Sequence, residues 1–432
     1  MPTYGPVPGT HTRRGFLGLL SSGAAATLLA ACGGGSGSGS GGSGGGGKQT
    51  LLVPNYATVT APVNAAFADI AGLPEVEVEL ASGSNWPDVD TRLQQDITAG
   101  RVPEIAMVGI NMLPYYHANK IAQPLDELLP AAGFDAGAFD PAILAAGRID
   151  GKLVGVPWGV STMTLFYNKD IFRAAGLDPD QPPRTFSQLR EYSERIVTAK
   201  AARYGVATSL MQSSGNWVFQ NYLLSNGGSM INADGTKITF NETPGVQVLE
   251  YWAKLVADKL SMPGTLQQID DALTRRDLAM VLNPSSVRTL ISKSLGASLA
   301  AAPMPVPDGG QPRTPPGGGA LVIITKDKAK QQQAATVLAA LLGPQAQGQM
   351  VTTSGYLPVN SEAARKAAAD PLVAPSVAEL KTLVPWQNFP GNNANQINKL
   401  LDDAITAALL GKKSAKAALD EAASAGAALL PK

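Results

Sequence analysis

Hydrophobic and polar residues form short blocks from Leu51 onward, and these blocks predict strands and helices in turn. Strict alternation over residues 75–80 predicts a strand with one solvent-facing side. The apolar runs 105–109 and 321–325 predict central strands that are buried on both faces. Because strands and helices are interleaved along the chain, we expect an α/β fold with mostly parallel sheets flanked by helices.

Helices are predicted where apolar residues recur at helical spacing. Residues 185–188 read Thr-Phe-Ser-Gln, a capping-box sequence that marks a helix start. Two Ala-rich helices are predicted at 395–410 and 414–430. Another apolar face consists of Leu249, Trp252, Ala253, Val256 and Leu260. Trp252 lies on that face, so we expect it in the core and not against a ligand.

The N-terminal segment has a different pattern. Paired arginines at 13 and 14 precede an apolar stretch too short to span a bilayer, and Cys32 follows it. This order resembles a twin-arginine lipoprotein signal over residues 1–31, with Cys32 as the lipidated residue. Residues 32–48, almost entirely Gly and Ser, then predict a flexible tether. The expected location is extracytoplasmic, lipid-anchored to the cell membrane at the cell surface or in the periplasm; the alternative is a chance arginine pair and an incidental cysteine.

Composition excludes several functional classes. The chain has 34 basic and 34 acidic residues, and cleavage of a signal would remove Arg13 and Arg14, so the basic field that nucleic-acid binding needs is missing. Cys32 is the single cysteine, so the remainder holds neither a disulfide nor a thiol nucleophile. With His11 in the signal, His117 is the only remaining histidine, which argues against zinc sites and against most histidine-relayed triads. We predict no metal and no cofactor, and a surface helix for His117.

The segment after residue 48 is longer than one hydrophobic core usually supports, so two lobes are expected. The proline-rich stretches 156–159 and 302–307 are candidates for connections between the lobes, because proline stiffens an extended chain. Ordinary surface loops are the alternative for both stretches.

Seven segments together resemble the family 1 extracellular solute-binding proteins of ABC importers, the carbohydrate and glycerol-phosphate-binding type. They are residues 155–162, with Val-Pro-Trp-Gly, 165–172, with Tyr-Asn-Lys-Asp, 175–179, 182–186, 277–281, 317–323, and 354–359, with Gly-Tyr-Leu-Pro. The resemblance covers most of the chain from about residue 50, and its motifs are specific only in combination.

This resemblance implies a two-lobe periplasmic-binding-protein fold of type II, with chain crossings near residues 157, 298 and 358. The first lobe would contain 49–157 and 298–357, and the second 158–297 and 358–432. A monomer of this kind captures a sugar or oligosaccharide in the cleft between its lobes. It then delivers the ligand to the transmembrane subunits of an ABC permease and is not an enzyme.

A sugar site needs planar donors and acceptors for hydroxyl groups and an aromatic ring for the apolar face of a pyranose. In the family pattern, such residues fall near predicted loops and crossings. The expected ligand-binding residues are Tyr56, Trp86, Asp88, Asn111, Trp158, Ser161, Thr162, Trp217, Gly318, Gly319, Tyr356, Trp386, Asn388 and Asn392.

The sequence departs from the glycerol-phosphate binders at one loop. Those proteins carry an arginine in the loop that corresponds to residues 386–393, where this chain has neither Arg nor Lys. A phosphate would lose a bidentate charged bond there, which favours an uncharged sugar. Glycerol 3-phosphate or a glycerophosphodiester stays the alternative ligand, with Arg92, Arg313 or backbone amides in place of the missing arginine.

Two other functions fit the sequence less well. An extracellular glycoside hydrolase would need two carboxylates across a cleft, and the acidic pairs 270–271 and 402–403 lie on predicted helices beside basic residues. That setting predicts solvated helix faces. A lipid-anchored adhesin or structural protein is disfavoured by the interleaved α/β pattern.

Overall fold

This computed structural model describes residues 48–55, 57–70, 72–82, 86–211 and 215–431. The predicted signal, the lipidation site Cys32, nearly all of the predicted tether and the candidate ligand residue Tyr56 lie outside the described residues. Within the described ranges, none of the helices has both the length and the apolar character required to cross a bilayer.

Strands and helices alternate along most of the chain. The strands are β1 Gln49–Val53, β2 Val76–Leu80, β3 Ile105–Gly109, β4 Arg148–Ile149, β5 Lys152–Leu153, β6 Val156–Ser161, β7 Met163–Asn168, β8 Tyr204–Thr208, β9 Leu278–Pro284, β10 Leu299–Pro303, β11 Gly317–Ile323 and β12 Leu357–Pro358. The helices are α1 Ala57–Asp69, α2 Trp86–Thr98, α3 Leu113–Ala118, α4 Leu128–Ala131, α5 Pro141–Ala146, α6 Lys169–Ala174, α7 Phe186–Thr198, α8 Gly215–Ser225, α9 Thr243–Ala257, α10 Leu266–Thr274, α11 Arg288–Leu295, α12 Lys328–Leu341, α13 Pro344–Thr353, α14 Ser361–Ala367, α15 Ala374–Glu379, α16 Ala394–Leu409 and α17 Ala415–Ala427. Short 3₁₀ turns occupy Ile110–Met112, Ala136–Ala138, Ser285–Val287, Gly296–Ser298 and Leu380–Thr382.

The described strands form a six-stranded sheet in the order β12-β6-β11-β3-β1-β2, a four-stranded sheet in the order β10-β7-β9-β8, and the β4–β5 ribbon. Only β1 with β2, β1 with β3, and β8 with β9 pair in parallel among these strands. The expectation of mostly parallel sheets is therefore wrong. Two successive strands can pair in parallel only if a crossover connection returns the chain to the same sheet. After β6 and after β10, the next strand along the chain belongs to the other sheet.

Each large sheet has its own core. Apolar residues around the six-stranded sheet include Leu51, Val108 and Leu321, and those around the four-stranded sheet include Phe172 and Trp252. A smaller cluster covers the other face of the four-stranded sheet. We call the six-stranded sheet with its core the first lobe, and the four-stranded sheet with its clusters the second lobe; the two-lobe α/β expectation is confirmed.

Sequence patterns located most of the elements. The strand β3 is buried at every position between β1 and β11, whereas β2, with its alternating sequence, is an edge strand. At the start of α7, the Thr185 hydroxyl accepts from the Gln188 N–H at 3.3 Å. The Gln188 side chain accepts from Arg184 N at 2.7 Å, so the reciprocal bond lies one residue before the predicted capping box.

The connections between the sheets differ from the predicted crossings. Pro157 lies inside β6, beside a bulge that opens between Gly319 and Ala320, and the first crossing follows at Thr162. The predicted crossing near 298 is too early, because β10 still pairs with β7 and the chain crosses over 304–316.

The third connection is longer than predicted. After β12 the chain forms α14, α15 and the turn Leu380–Thr382 before it reaches α16. Leu380 and Leu383 still pack in the first-lobe core, whereas Phe389 belongs to the second-lobe core. The predicted crossing near 358 is therefore also too early.

Candidate functional site

Three aromatic rings lie against the glycine-rich start of β11. A Cβ atom added at Gly317 would lie 2.8 Å from Trp217 Cζ2, and one at Gly319 would lie 2.4 Å from Trp86 Cη2. At Gly318, which has a φ of +109°, it would lie 3.2 Å from Tyr356 Cε1. Glycine is therefore required at these positions for the rings to approach the backbone. We call these six residues the aromatic–glycine surface.

The aromatic residues come from elements of both lobes. Trp86 begins α2, Trp217 lies in the first turn of α8, and Tyr356 immediately precedes β12. Trp217 donates from Nε1 to the Pro315 oxygen at 2.9 Å, and Trp386 donates to the Pro316 oxygen at 2.6 Å. Both indoles therefore hold the segment that leads into the glycines of β11.

The lobes touch across the cleft at Asn388. Its Nδ2 donates to the backbone oxygen of Asn111 at 2.7 Å, and its Oδ1 accepts from Phe389 N at 2.9 Å. Asn111 lies next to the aromatic–glycine surface, because a Cβ at Gly109 would meet both Asn111 Oδ1 and Trp86 Cβ. The structure thus has the inner part of the cleft closed.

A cavity of about 610 Å³ opens beside this contact. Such a volume falls within the range of about 300–1,000 Å³ that is usual for small-molecule sites. First-lobe residues in its wall include Tyr115 and His117, and the second lobe contributes Asn388 and Asn392. His117 is partly exposed on α3, with Nε2 3.5 Å from a carboxylate oxygen of Asp150. The cavity is rich in amides and aromatic groups.

The loop that carries Trp386 and Asn388 is fixed to α8 by amide groups. Gln220 donates from Nε2 to the Gln387 oxygen at 3.1 Å and accepts from Gln387 N at 3.0 Å. The Gln387 side chain in turn accepts from Met230 N at 2.7 Å. Gln220 and Gln387 were missed by the sequence reasoning; the available signal was a polar Gln220-Asn221 pair within an otherwise apolar helix.

A carboxylate occupies the N-terminus of α8. Asp402 accepts from Asn216 N at 2.6 Å and from Asn216 Nδ2 at 3.2 and 3.1 Å. Burial raises the pKa of Asp402 to about 6, and the bonds from Asn216 oppose that rise. The prediction of a solvated face is wrong for Asp402, because α16 packs it on α8. It holds for Asp403, which is exposed and pairs with Lys399 at 2.8 Å.

Trp158 and Ser161 both lie on β6 but in different surroundings. Trp158 is 2% exposed and packs with Val156 and Val160 in the first-lobe core. Its Nε1 has no hydrogen-bond partner among the described residues. Ser161 touches the aromatic–glycine surface, since its Oγ lies 2.5 Å from a Cβ placed at Gly317.

The three remaining candidates differ in their exposure. Thr162 is fully buried at the first crossing. Asp88 is half-buried in the first turn of α2, and Asn392 is exposed at the cavity.

The two arginines proposed for a phosphate differ in their surroundings. The Arg92 guanidinium bonds to Asp96 at 2.5 Å and to Glu79 at 3.0 Å, so α2 and β2 already neutralise it. Arg313 is exposed in the second connection, where its backbone N–H donates to Ser225 Oγ at 3.2 Å. Over the described residues, no group of three or more His, Cys, Asp or Glu side chains could hold a metal ion.

Comparison with known proteins gives consistent matches. Residues 61–375 match the family model described as bacterial extracellular solute-binding protein. A relative named sn-glycerol-3-phosphate-binding periplasmic protein UgpB, from Rhizobium meliloti strain 1021, is 26% identical over 321 residues. That alignment covers 70% of this chain and 74% of the relative.

Solved structures of binding proteins share the fold. The cyclic alpha-maltosyl-1,6-maltose binding protein from Arthrobacter globiformis has a TM-score of 0.75 and 23% identity, with 88% of this chain and 98% of that protein covered. UgpB from Mycobacterium tuberculosis, in complex with glycerophosphocholine, has a TM-score of 0.76 and 19% identity, with 88% of this chain and 97% of that protein covered.

Proposed function

The chain belongs to the family of bacterial extracellular solute-binding proteins, and on this premise we propose that it captures a neutral sugar or oligosaccharide for an ABC importer. The ligand would be held in the cleft between the lobes and delivered to the transmembrane subunits of the permease. The aromatic–glycine surface carries this proposal. Closure of the lobes, with Asn388 against Asn111, would enclose the ligand.

The aromatic–glycine surface suits a sugar for two reasons. Trp217 and Tyr356 are buried and Trp86 is partly exposed in this closed form. When the lobes open, these rings would offer flat apolar faces on which the C–H face of a pyranose can stack. The neighbouring residues Gly317–Gly319 have no side chains, so the rings lie directly against β11 and form one surface with it. Side-chain amides at Asn111 and Asn392 would supply both donors and acceptors, whereas the Asn388 amide is used in the contact between the lobes.

The charge around Trp217 favours a neutral ligand. The N-terminus of a helix ordinarily attracts anions, but Asp402 already places a carboxylate at the start of α8. Arg92 is paired with two carboxylates, and residues 386–393 contain no basic side chain. A phosphate beside Trp217 would therefore meet the Asp402 carboxylate, while Arg92 is already paired and the loop 386–393 offers no basic side chain.

Glycerol 3-phosphate or a glycerophosphodiester is the second candidate ligand. It is favoured by the Rhizobium meliloti relative, whose name states that it binds sn-glycerol 3-phosphate. The structural neighbour from Mycobacterium tuberculosis holds glycerophosphocholine. Members of the family are binding proteins, and we propose that this chain likewise has no hydrolase activity.

A thermal-shift screen tests ligand capture. Neutral disaccharides, maltotriose and glycerol 3-phosphate would each be added to the folded protein. A ligand present at 100 times its Kd should stabilise the protein by about 2.7 kcal/mol. Small-angle scattering on the positive ligand should show a smaller radius of gyration. If no compound in the panel stabilised the protein, or if saturation left the radius unchanged, capture by closure would be wrong.

We also propose that the protein is a monomer anchored outside the cytoplasm by lipid at Cys32. The support is the order of paired arginines, apolar stretch and cysteine in the sequence. Cys32→Ser should leave a folded protein that no longer fractionates with membranes, since lipid chains provide the membrane affinity. Membrane association equal to that of the unchanged protein would refute the anchor.

A further inference from the structure

Glu379 lies where the connections between the lobes come together. It is the last residue of α15, within the third connection, and its Oε1 accepts from Met304 N of the second connection at 2.8 Å. Thr162, at the first crossing, is close enough to lower the pKa of Glu379. One turn earlier, Ser376 and Thr164 share a hydrogen bond of 2.7 Å. Glu379 thus contacts both other connections.

This carboxyl group is buried without a counter-charge. Glu379 is 6% exposed, and neither its Oε2 nor the facing Thr162 Oγ1 has an aligned hydrogen-bond partner among the described residues. An ionised carboxylate in such a place would be strongly unfavourable. Burial accordingly raises the pKa of Glu379 to about 8, against the smaller opposing effects of Met304 and Thr162.

The elements packed against α15 bring no ionised group to this carboxyl. β10 contains no titratable residue, and Tyr167 of β7 donates its hydroxyl to the Pro179 oxygen at 2.7 Å. The remaining titratable residues on these neighbouring elements, all exposed, are Glu362, Arg365 and Lys366 of α14 and Lys381 of the following turn. The protonation of Glu379 therefore depends mainly on whether water reaches it.

We propose that Glu379 is a proton-dependent lock of the hinge, whose protonated form holds the three connections together when the lobes are closed. Opening turns the lobes about these connections, separates Met304 and Thr162 from Glu379, and admits water. Closing then takes up a proton wherever the open form is ionised and the closed form is not. The inference rests on capture by lobe closure, as proposed above.

The sign of the effect follows from this linkage. In the open form the carboxyl has an ordinary acidic pKa, and in the closed form its pKa is about 8. Between those values each rise in pH favours the open form, because opening releases the proton. Above about pH 8 both forms are ionised and the dependence ends.

The test measures opening without any ligand. In a Cys32→Ser background the chain has no other cysteine, so Asn119→Cys and Asn395→Cys can carry spin labels on opposite sides of the cavity. Distances between the labels report the ratio of open to closed protein. From pH 6 to pH 8 this ratio should rise by at least about threefold.

Matched variants isolate Glu379. Glu379→Gln is neutral at every pH and keeps an acceptor for Met304, so its ratio should stay constant within about twofold from pH 6 to pH 8. Glu362→Gln, at an exposed glutamate, should behave like the parent protein. Thr162→Val removes the hydroxyl that lowers the pKa of Glu379, so the end of the pH dependence should move to higher pH. Burial also raises the pKa of Asp90, on α2, and of Asp402 to about 6. Both residues are unchanged in every variant, so a difference between variant and parent reports on Glu379.

The proposal is overturned if the parent protein shows a constant ratio, or if Glu379→Gln responds to pH as the parent does. Because these distances are measured without ligand, that outcome leaves ligand capture untouched. The opposite result can also be recognised. If opening depends on pH as predicted but no saccharide or phosphate in the panel stabilises the protein, the proposed function is refuted and the role of Glu379 in the hinge is retained.

Discussion

Asn388 in the second lobe donates a hydrogen bond to the backbone oxygen of Asn111 in the first, with the two atoms 2.7 Å apart. A bond of this kind exists only when the cleft is closed, so it stabilises the closed form selectively. Asn388→Ala should therefore weaken ligand binding by about 0.5–1.5 kcal/mol, or roughly two- to tenfold in Kd. Asn393→Ala is the control, because Asn393 bonds to Leu429 within the second lobe. Equal affinities in the two variants, measured by calorimetry, would argue against the closing bond.

Removal of an aromatic ring from the cleft should weaken ligand binding more than removal of a single hydrogen bond. Trp217→Ala is expected to lose about 1.5–3 kcal/mol of binding if its ring stacks on a sugar. Trp158→Phe changes a tryptophan in the first-lobe core, so we expect lower stability and an unchanged Kd. Thermal melts run alongside would identify a variant that has lost its fold. Loss of binding in Trp158→Phe with normal binding in Trp217→Ala would reverse the assignment.

Asp402 should discriminate against anionic ligands. Asp402→Asn keeps an acceptor for Asn216 but removes the charge from the start of α8. Charges at a helix terminus are worth about 0.3–1 kcal/mol, so the affinity for glycerol 3-phosphate should rise by up to roughly fivefold. Affinity for a neutral sugar should stay the same. Asp403→Asn, at the exposed neighbouring residue, is the control and should change neither affinity. If it raised the affinity for glycerol 3-phosphate as much as Asp402→Asn does, the effect would not depend on the position of Asp402.

Stability should decline as pH rises through the range set by Glu379. Its pKa in the folded protein, about 8, lies above the ordinary value of 4.5, so the unfolded chain binds fewer protons between these values. The free energy of unfolding then falls with pH by at most about 1.4 kcal/mol per unit from this group. Glu379→Gln should show a shallower decline than the parent in chemical denaturation between pH 5 and pH 8. Parallel curves for the two proteins would mean that Glu379 is not buried as a neutral acid.

Short-range patterns in the sequence were sufficient to predict most of the strands and helices. The apolar run at β3, the helical spacing around Trp252 and the cap at Thr185 each depend on neighbours within a few positions, and each was located correctly. The resemblance to a family named Trp86, Trp217, Gly318, Gly319 and Tyr356 as ligand residues, and the structure brings these aromatic rings against the glycines of β11. Their contact with a ligand stays a prediction.

The features that the sequence did not predict depend on contacts between residues that are far apart along the chain. Asp402 was expected in solvent, and its partner Asn216 stands 186 positions away. Trp158 was expected to contact ligand, but the register between β6 and β11 skips it at the bulge opposite Gly319 and Ala320, and its side chain is buried in the first-lobe core. No local pattern in the sequence singles out Glu379, because Met304 and Thr162 are distant from it along the chain and lie beside it only in the folded protein.

The central claim is that the cleft binds an uncharged sugar. Calorimetric titration of the parent protein with neutral disaccharides, maltotriose and glycerol 3-phosphate, at low and at molar salt, tests it most directly. We expect binding of at least one saccharide with a Kd that changes little with salt, because screening weakens only interactions between charges. Tight, salt-sensitive binding of glycerol 3-phosphate, with no binding of any saccharide, would contradict the assignment.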